Sequence, residues 1–178
     1  MSSAPRYIPH YTVKDYELWE GDWELWQGIA VAMTPSPFGR HQEIAVKLAA
    51  ELLRAVEDSG CDATVLSEID WIISDDTVVR PDLLAVCGGP PEKHVMSPPA
   101  IVVEILSPST ASRDRGEKLH LYDDHGVQYY IIVDPADNSF ELFTREVDHF
   151  VCSPPSSSSR LTICADCELS IAMGRLFV

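Results

Sequence analysis

Three charged residues of this sequence sit where the pattern calls for apolar ones. Asp82 follows Pro81 and opens the run Leu83-Leu84-Ala85-Val86. Proline has no amide hydrogen to give to a sheet ladder, so Pro81 predicts a bulge or an edge within a strand over 78–86. Bulges commonly re-aim side chains beside active sites. Glu104 is set in Ile101-Val102-Val103-Glu104-Ile105-Leu106. Strand alternation puts Ile101, Val103 and Ile105 on one face and Val102, Glu104 and Leu106 on the other. A strand apolar on both faces is buried on both. A carboxylate there costs on the order of several kcal/mol unless a cation or donors meet it, or it keeps its proton. Lys118 lies in a helix expected over 112–125. On a helical wheel Leu119, Leu121 and Tyr122 mark the apolar arc, and Lys118 falls inside it. Arg113, Glu117, His120 and Asp124 point the other way.

Two inward acids and one inward lysine suggest a divalent-cation site. Hard carboxylate oxygens suit Mg²⁺ or Mn²⁺. A cation between Asp82 and Glu104 could hold a phosphate oxygen and activate water. Lys118 could orient or deprotonate that water, or stabilise the charge that develops on phosphorus oxygens. Each residue also has a plainer reading. Asp82 could cap the bend after Pro81, Glu104 and Lys118 could form a structural salt bridge, and Lys118 could snorkel past its neighbours. The meeting of three such groups from two strands and the next helix favours a site, with the two acids close enough to share an ion.

The elements that must position them follow from spacing. A short helix is expected over 12–19. Trp23 to Trp26 and Ile29 to Met33 read as a hairpin about Gln27-Gly28. Residues 34–39 are a loop. Ile44, Leu48, Leu52 and Val56 recur every four residues and predict a long helix over 41–57. Strands are expected over 63–66, 69–73, 100–106, 128–133 and 139–144, with a turn at 74–77 and a loop over 88–99. Gly126 should end the helix over 112–125. Residues 153–159 are a serine- and proline-rich loop, and 161–178 supply closing strands. The fold class is α/β: one domain, with a mixed central sheet flanked by helices. It divides into an N-terminal hairpin and helix (1–60), a catalytic core (61–146) and C-terminal strands (147–178).

Composition bounds the partners. The chain has 178 residues, 28 Asp and Glu against 13 Lys and Arg, and a net charge of −15. That charge argues against a protein that coats nucleic acid, because phosphate binding is driven by cations. Apolar runs such as 83–87 are too short for a bilayer. The first six residues carry no apolar signal segment, so a cytoplasmic chain is expected. The five cysteines are then read as free thiols. Cys164 and Cys167 have CxxC spacing without a second pair, and are read as residues of a late strand rather than a zinc or redox motif.

Several of these residues also fall into a known pattern. Arg80-Pro81-Asp82, the run Val102-Val103-Glu104-Ile105-Leu106-Ser107-Pro108-Ser109-Thr110, then Arg113-Asp114 and Glu117-Lys118 resemble the PD-(D/E)XK nuclease superfamily. Within it they are most similar to the Uma-type restriction-endonuclease-like proteins, and the likeness spans most of the chain. The resemblance implies a metal-dependent phosphodiesterase fold, with Asp82 and Glu104 as the metal-binding acids. The usual third signature position is Leu106 here, and Lys118 on the next helix matches the migrated lysine of this subgroup. Glu24 and His41 match family positions in the opening hairpin and at the start of the long helix, as accessory candidates. The function expected is a Mg²⁺- or Mn²⁺-dependent DNA endonuclease acting as a homodimer. The rival is a nuclease-derived module kept for interaction or assembly, which the net charge favours.

Overall fold

The structure is a computed structural model that describes residues 9–33, 39–154, 156 and 158–177. Most of the expected loop at 34–39, and residues 155 and 157 of the serine-rich loop, lie outside the described residues.

Two sheets carry the fold. A six-stranded sheet runs β10-β9-β8-β7-β6-β3 and a four-stranded sheet runs β2-β1-β5-β4. In the larger sheet the strands are β3 (Ala63–Ser67), β6 (Leu83–Cys87), β7 (Ile101–Ile105), β8 (Tyr129–Asp134), β9 (Ser139–Glu146) and β10 (His149–Ser153). All its neighbours pair antiparallel except β7 and β8. That parallel pair needs a crossover, and α3 (Ala111–Arg115) and α4 (Glu117–Asp124) supply it. The smaller sheet holds β1 (Trp23–Trp26), β2 (Ile29–Ala32), β4 (Trp71–Ser74) and β5 (Thr77–Val79), preceded by the short α1 (Val13–Tyr16). Its first hairpin turns at Gln27 and Gly28, both at positive φ, as a two-residue hairpin turn of this hand requires.

β7 is buried along its whole length, and the two faces read from alternation are the two found. Ile101, Val103 and Ile105 pack with Ile44, Leu48 and Leu52 of α2 (Gly39–Ser59) and with a C-terminal hairpin, β11 (Ser159–Ile163) and β12 (Cys167–Ile171). Val102 and Leu106 pack with Trp71, Val79, Tyr122 and Tyr130. Each fully buried aliphatic side chain here contributes about 1.5–3 kcal/mol. A short 3-10 helix, Met173–Phe177, closes the described chain. Among the described residues no helix is long and apolar enough to cross a membrane.

Three expectations are corrected. Pro81 does not bulge a single strand over 78–86: β5 ends at Val79 in the small sheet and β6 begins at Leu83 in the large one. A residue without an amide hydrogen sits at the change of sheet, where no ladder bond is lost. The helix expected over 112–125 is two helices broken at Gly116, where a Cβ would lie 2.9 Å from the Ser112 carbonyl oxygen. The cysteines are not all free thiols. Cys61 is bonded to Cys167 and Cys87 to Cys164, leaving Cys152 free. Cys164 also lies in the β11–β12 turn, not within a strand. Long-range pairings of this kind leave no local signature in a sequence.

Candidate active site

Glu104 leaves β7 on the face that meets α4, and its side chain is almost wholly buried. Its Oε1 accepts two hydrogen bonds, from Lys118 Nζ at 2.7 Å and from the Tyr122 hydroxyl at 2.6 Å. Lys118 and Tyr122 are four residues apart on α4, one above the other on the same face. Lys118 Nζ also lies 3.1 Å from Glu24 Oε1. Glu24 comes from β1 of the other sheet and is buried, at 2 % exposure. The Arg80 amide donates to Glu24 Oε1 at 2.8 Å and the Trp26 indole to its Oε2 at 3.2 Å. The wheel therefore placed Lys118 correctly, and the ammonium bridges carboxylates from both sheets.

Asp82 is held at the end of the same strand. The Ile105 amide donates to Asp82 Oδ2 at 2.7 Å, one residue past Glu104. His41, in the first turns of α2, places Nε2 3.4 Å from the same oxygen. His41 is buried, and its Nδ1 has no hydrogen-bond partner among the described residues. Asp82 is more open than Glu104 and lines a small cleft of ≈ 130 Å³ with His41, Ser67 and Glu68. The five sequence-chosen residues thus fall into two contacting groups, Lys118 with Glu104 and Glu24, and Asp82 with His41. The Asp82 charge reaches Glu104 and helps to raise its pKa.

Sequence reasoning passed over Asp114 and the polar role of Tyr122. Asp114 is buried and its charge acts on both Glu104 and Lys118. The available signal was spacing: 114, 118 and 122 are four apart. Four arginines whose charge could meet phosphate are engaged elsewhere. Arg80 binds Asp70 and Asp22, Arg40 binds Glu43, Arg115 binds Asp134 and Glu141, and Arg113 lies over the Trp26 ring.

Electrostatics follow from crowding. Burial pushes the Glu104 carboxyl well above its usual range; Lys118 pulls it down, and Asp82, Asp114 and Glu24 push it up. Asp114 is raised as well, first by burial. Burial works against a charged Lys118, but Glu104, Glu24 and Asp114 outweigh it and hold the ammonium protonated. His41 behaves alike: burial opposes protonation, and the hydrogen bond and charge of Asp82, with the Ile105 backbone and the Glu68 charge, outweigh it to raise the pKa.

Three buried carboxylates, Glu24, Glu104 and Asp114, act on one lysine, and Asp82 acts on Glu104 beside them; hard oxygen donors of this kind suit Mg²⁺ or Mn²⁺. Among the described residues no three His, Cys, Asp or Glu side chains are gathered tightly enough to cage an ion. Mg²⁺ needs no such cage, since it binds through one or two carboxylates, water and substrate phosphate. The donor set fits on those terms.

A mixed sheet whose central strand carries a buried acid, with a lysine delivered by the crossover helix, defines a restriction-endonuclease-like α/β domain. The chain belongs to the Uma2 family, described as "Putative restriction endonuclease", whose model matches residues 13–172. An uncharacterised protein of Synechocystis sp. (strain ATCC 27184 / PCC 6803 / Kazusa) is 27% identical over 153 residues, covering 82% of this chain and 79% of that protein. A crystal structure from Anabaena variabilis ATCC 29413, described as "a putative nuclease belonging to DUF820", superposes with a TM-score of 0.74 over 94% of this chain and 97% of that one. At 17% identity this likeness is one of fold.

Proposed function

We propose that the protein is a Mg²⁺- or Mn²⁺-dependent phosphodiester hydrolase, an endonuclease acting on DNA in the cytoplasm. The observation that carries this reading is the bridging of Lys118 between Glu24 and Glu104 from two sheets, beside Asp82. Asp82 and Glu104 hold the cation. When bound, a divalent ion supplies Lewis acidity toward a phosphate oxygen and lowers the pKa of water. Lys118 stays protonated, which favours stabilising developing negative charge over taking a proton from water. Glu24 positions the ammonium and Tyr122 fixes the Glu104 carboxylate. His41 orients Asp82. A two-fold dimer would bring the two sites that double-strand cleavage needs. Its best interface candidate includes the aromatic group Tyr11, Tyr16, Trp19 and Trp23, whose rings meet edge to face.

The rival, a non-catalytic assembly module, rests on the net charge of −15, which repels DNA. Cleavage of mixed single- and double-stranded DNA with Mg²⁺ or Mn²⁺ at low salt separates the two. Lys118→Ala should lower turnover by about 10²–10³-fold and leave cation binding largely intact. Glu104→Gln should lose both. Trace cleavage equal in wild type and variants would put the assembly module ahead. Light scattering on the same samples reads the dimer.

A further inference from the structure

Four cysteines meet at the end of the large sheet where β6 finishes, the strand that Asp82 precedes at its other end. Cys61 follows α2 and precedes β3, and Cys87 ends β6. Those strands are neighbours, with Ala63 opposite Cys87. Cys164 opens the turn of the β11–β12 hairpin and Cys167 begins β12, paired with Ile163. The two bonds, Cys61–Cys167 and Cys87–Cys164, therefore tie one hairpin tip to two adjacent strands, across 106 and 77 residues of chain.

The turn that Cys164 opens is strained. Cys164, Ala165 and Asp166 have φ of 46°, 58° and 78°, and none is glycine. Successive side-chain-bearing residues in the left-handed region each cost about 1–2 kcal/mol. Such conformations persist where the surroundings over-determine them, and a cross-link on either side of the turn does that. The two bonds differ in access. Cys87 is exposed and Cys164 half-buried, whereas Cys61 is 8% exposed and its sulfur accepts from the Ser59 hydroxyl.

We propose that these four cysteines are a reversible dithiol–disulfide site, exchanging with small disulfides and dithiols, in which the outer bond Cys87–Cys164 opens first and relaxes the hairpin turn. Each bond forms when two thiols lose two electrons and two protons to a disulfide oxidant such as oxidised glutathione. One thiolate attacks the oxidant and expels a thiol. The second attacks the mixed disulfide and expels the other. Opening runs in reverse: a dithiol thiolate attacks the exposed bond and the first cysteine sulfur leaves and takes a proton; the second thiol of the dithiol then attacks the mixed disulfide, closing its own disulfide and releasing the second cysteine, which takes the other proton. The inner faces of the hairpin, Leu161, Ile163, Leu169 and Ile171, share a core with Ile44, Leu48 and Leu52 of α2. Loosening at the tip is thereby felt along the helix that carries His41.

The test uses the full wild-type chain, equilibrated with oxidised glutathione, then titrated with dithiothreitol without denaturant. Samples are alkylated in denaturant and weighed intact. The oxidised chain should take one alkyl group, on Cys152, and the fully reduced chain five. The first intermediate should take three, with Cys87 and Cys164 labelled in peptide maps. Hydrogen exchange over 159–171 should rise with it, and full reduction should lower Tm by roughly 5–15 °C. Five labels after oxidation, or prior labelling of Cys61 and Cys167, would overturn the proposal. So would a reduced chain that holds one zinc ion and resists labelling at all four sulfurs, which would make the cluster a tetrathiolate metal site.

Discussion

Lys118 is the residue on which the charge balance of the site turns. Removing it leaves Glu104 and Glu24 without their countercharge, and breaking one partner out of a buried pair typically costs about 3–5 kcal/mol. That cost depends on pH. The Glu104 pKa is already raised in the fold and would rise further without the ammonium, and a group with a raised folded pKa loses its contribution as pH climbs through that value. Lys118→Met should therefore be close to wild type in chemical denaturation at acidic pH and much weaker at pH 8. His41 gives a second reading at this scale. With Asp82 neutralised, burial is opposed only by the Ile105 backbone and the Glu68 charge. Asp82→Asn should accordingly lower the His41 pKa, as followed by NMR titration. Glu104 and Lys118 were legible in the sequence because each broke an apolar period, which is visible one residue at a time. Asp114 broke nothing. It sits in the polar run Ser112-Arg113-Asp114-Arg115, so its burial depends on how α3 is turned. Tyr122 read as apolar filling because a ring satisfies the wheel whether or not its hydroxyl is used.

At the scale of elements, the breaks matter more than the runs. Gly116 separates α3 from α4 and so sets the direction from which Lys118 and Tyr122 reach Glu104. A methyl group at 116 would press on the Ser112 carbonyl at 2.9 Å, which is backbone and cannot swing aside. Gly116→Ala should cost about 1–3 kcal/mol, as overpacking does. It should also weaken divalent-cation binding more than a surface substitution of equal cost, read by calorimetry. Periodicity made the long helix α2 and the buried strand β7 predictable, since both follow from one-dimensional spacing. It could not show that Val79 and Leu83 belong to different sheets. Pro81 was a correct sign of a break, and the partner of each half is a tertiary choice.

For the molecule as a whole, net charge and site charge pull in opposite directions. Excess carboxylate repels DNA, while carboxylates crowded about Lys118 supply the hard oxygen donors that divalent cations take. On the proposed reading, a bound cation would compete with a proton for Glu104, whose proton is held more tightly than usual. Mg²⁺ or Mn²⁺ should raise Tm by mass action, and the gain should grow from pH 5.5 to pH 8 in wild type and vanish in Asp82→Asn. A pH-independent gain, or one kept in the variant, would place the ion elsewhere on the acidic surface.

The Arg80-Pro81-Asp82 crossing has a thermodynamic consequence. Three consecutive residues give an amide to Glu24 in one sheet, lose an amide at the step, and take an amide from Ile105 in the other. The two apolar clusters meanwhile share β6, with Leu83 and Ala85 in one and Leu84 and Val86 in the other. Loss of either cluster strips one face of β6, so the two cores are coupled through that strand. Cores coupled in this way should lose their structure together in denaturant, and a form that keeps the acids but frees the lysine should not accumulate.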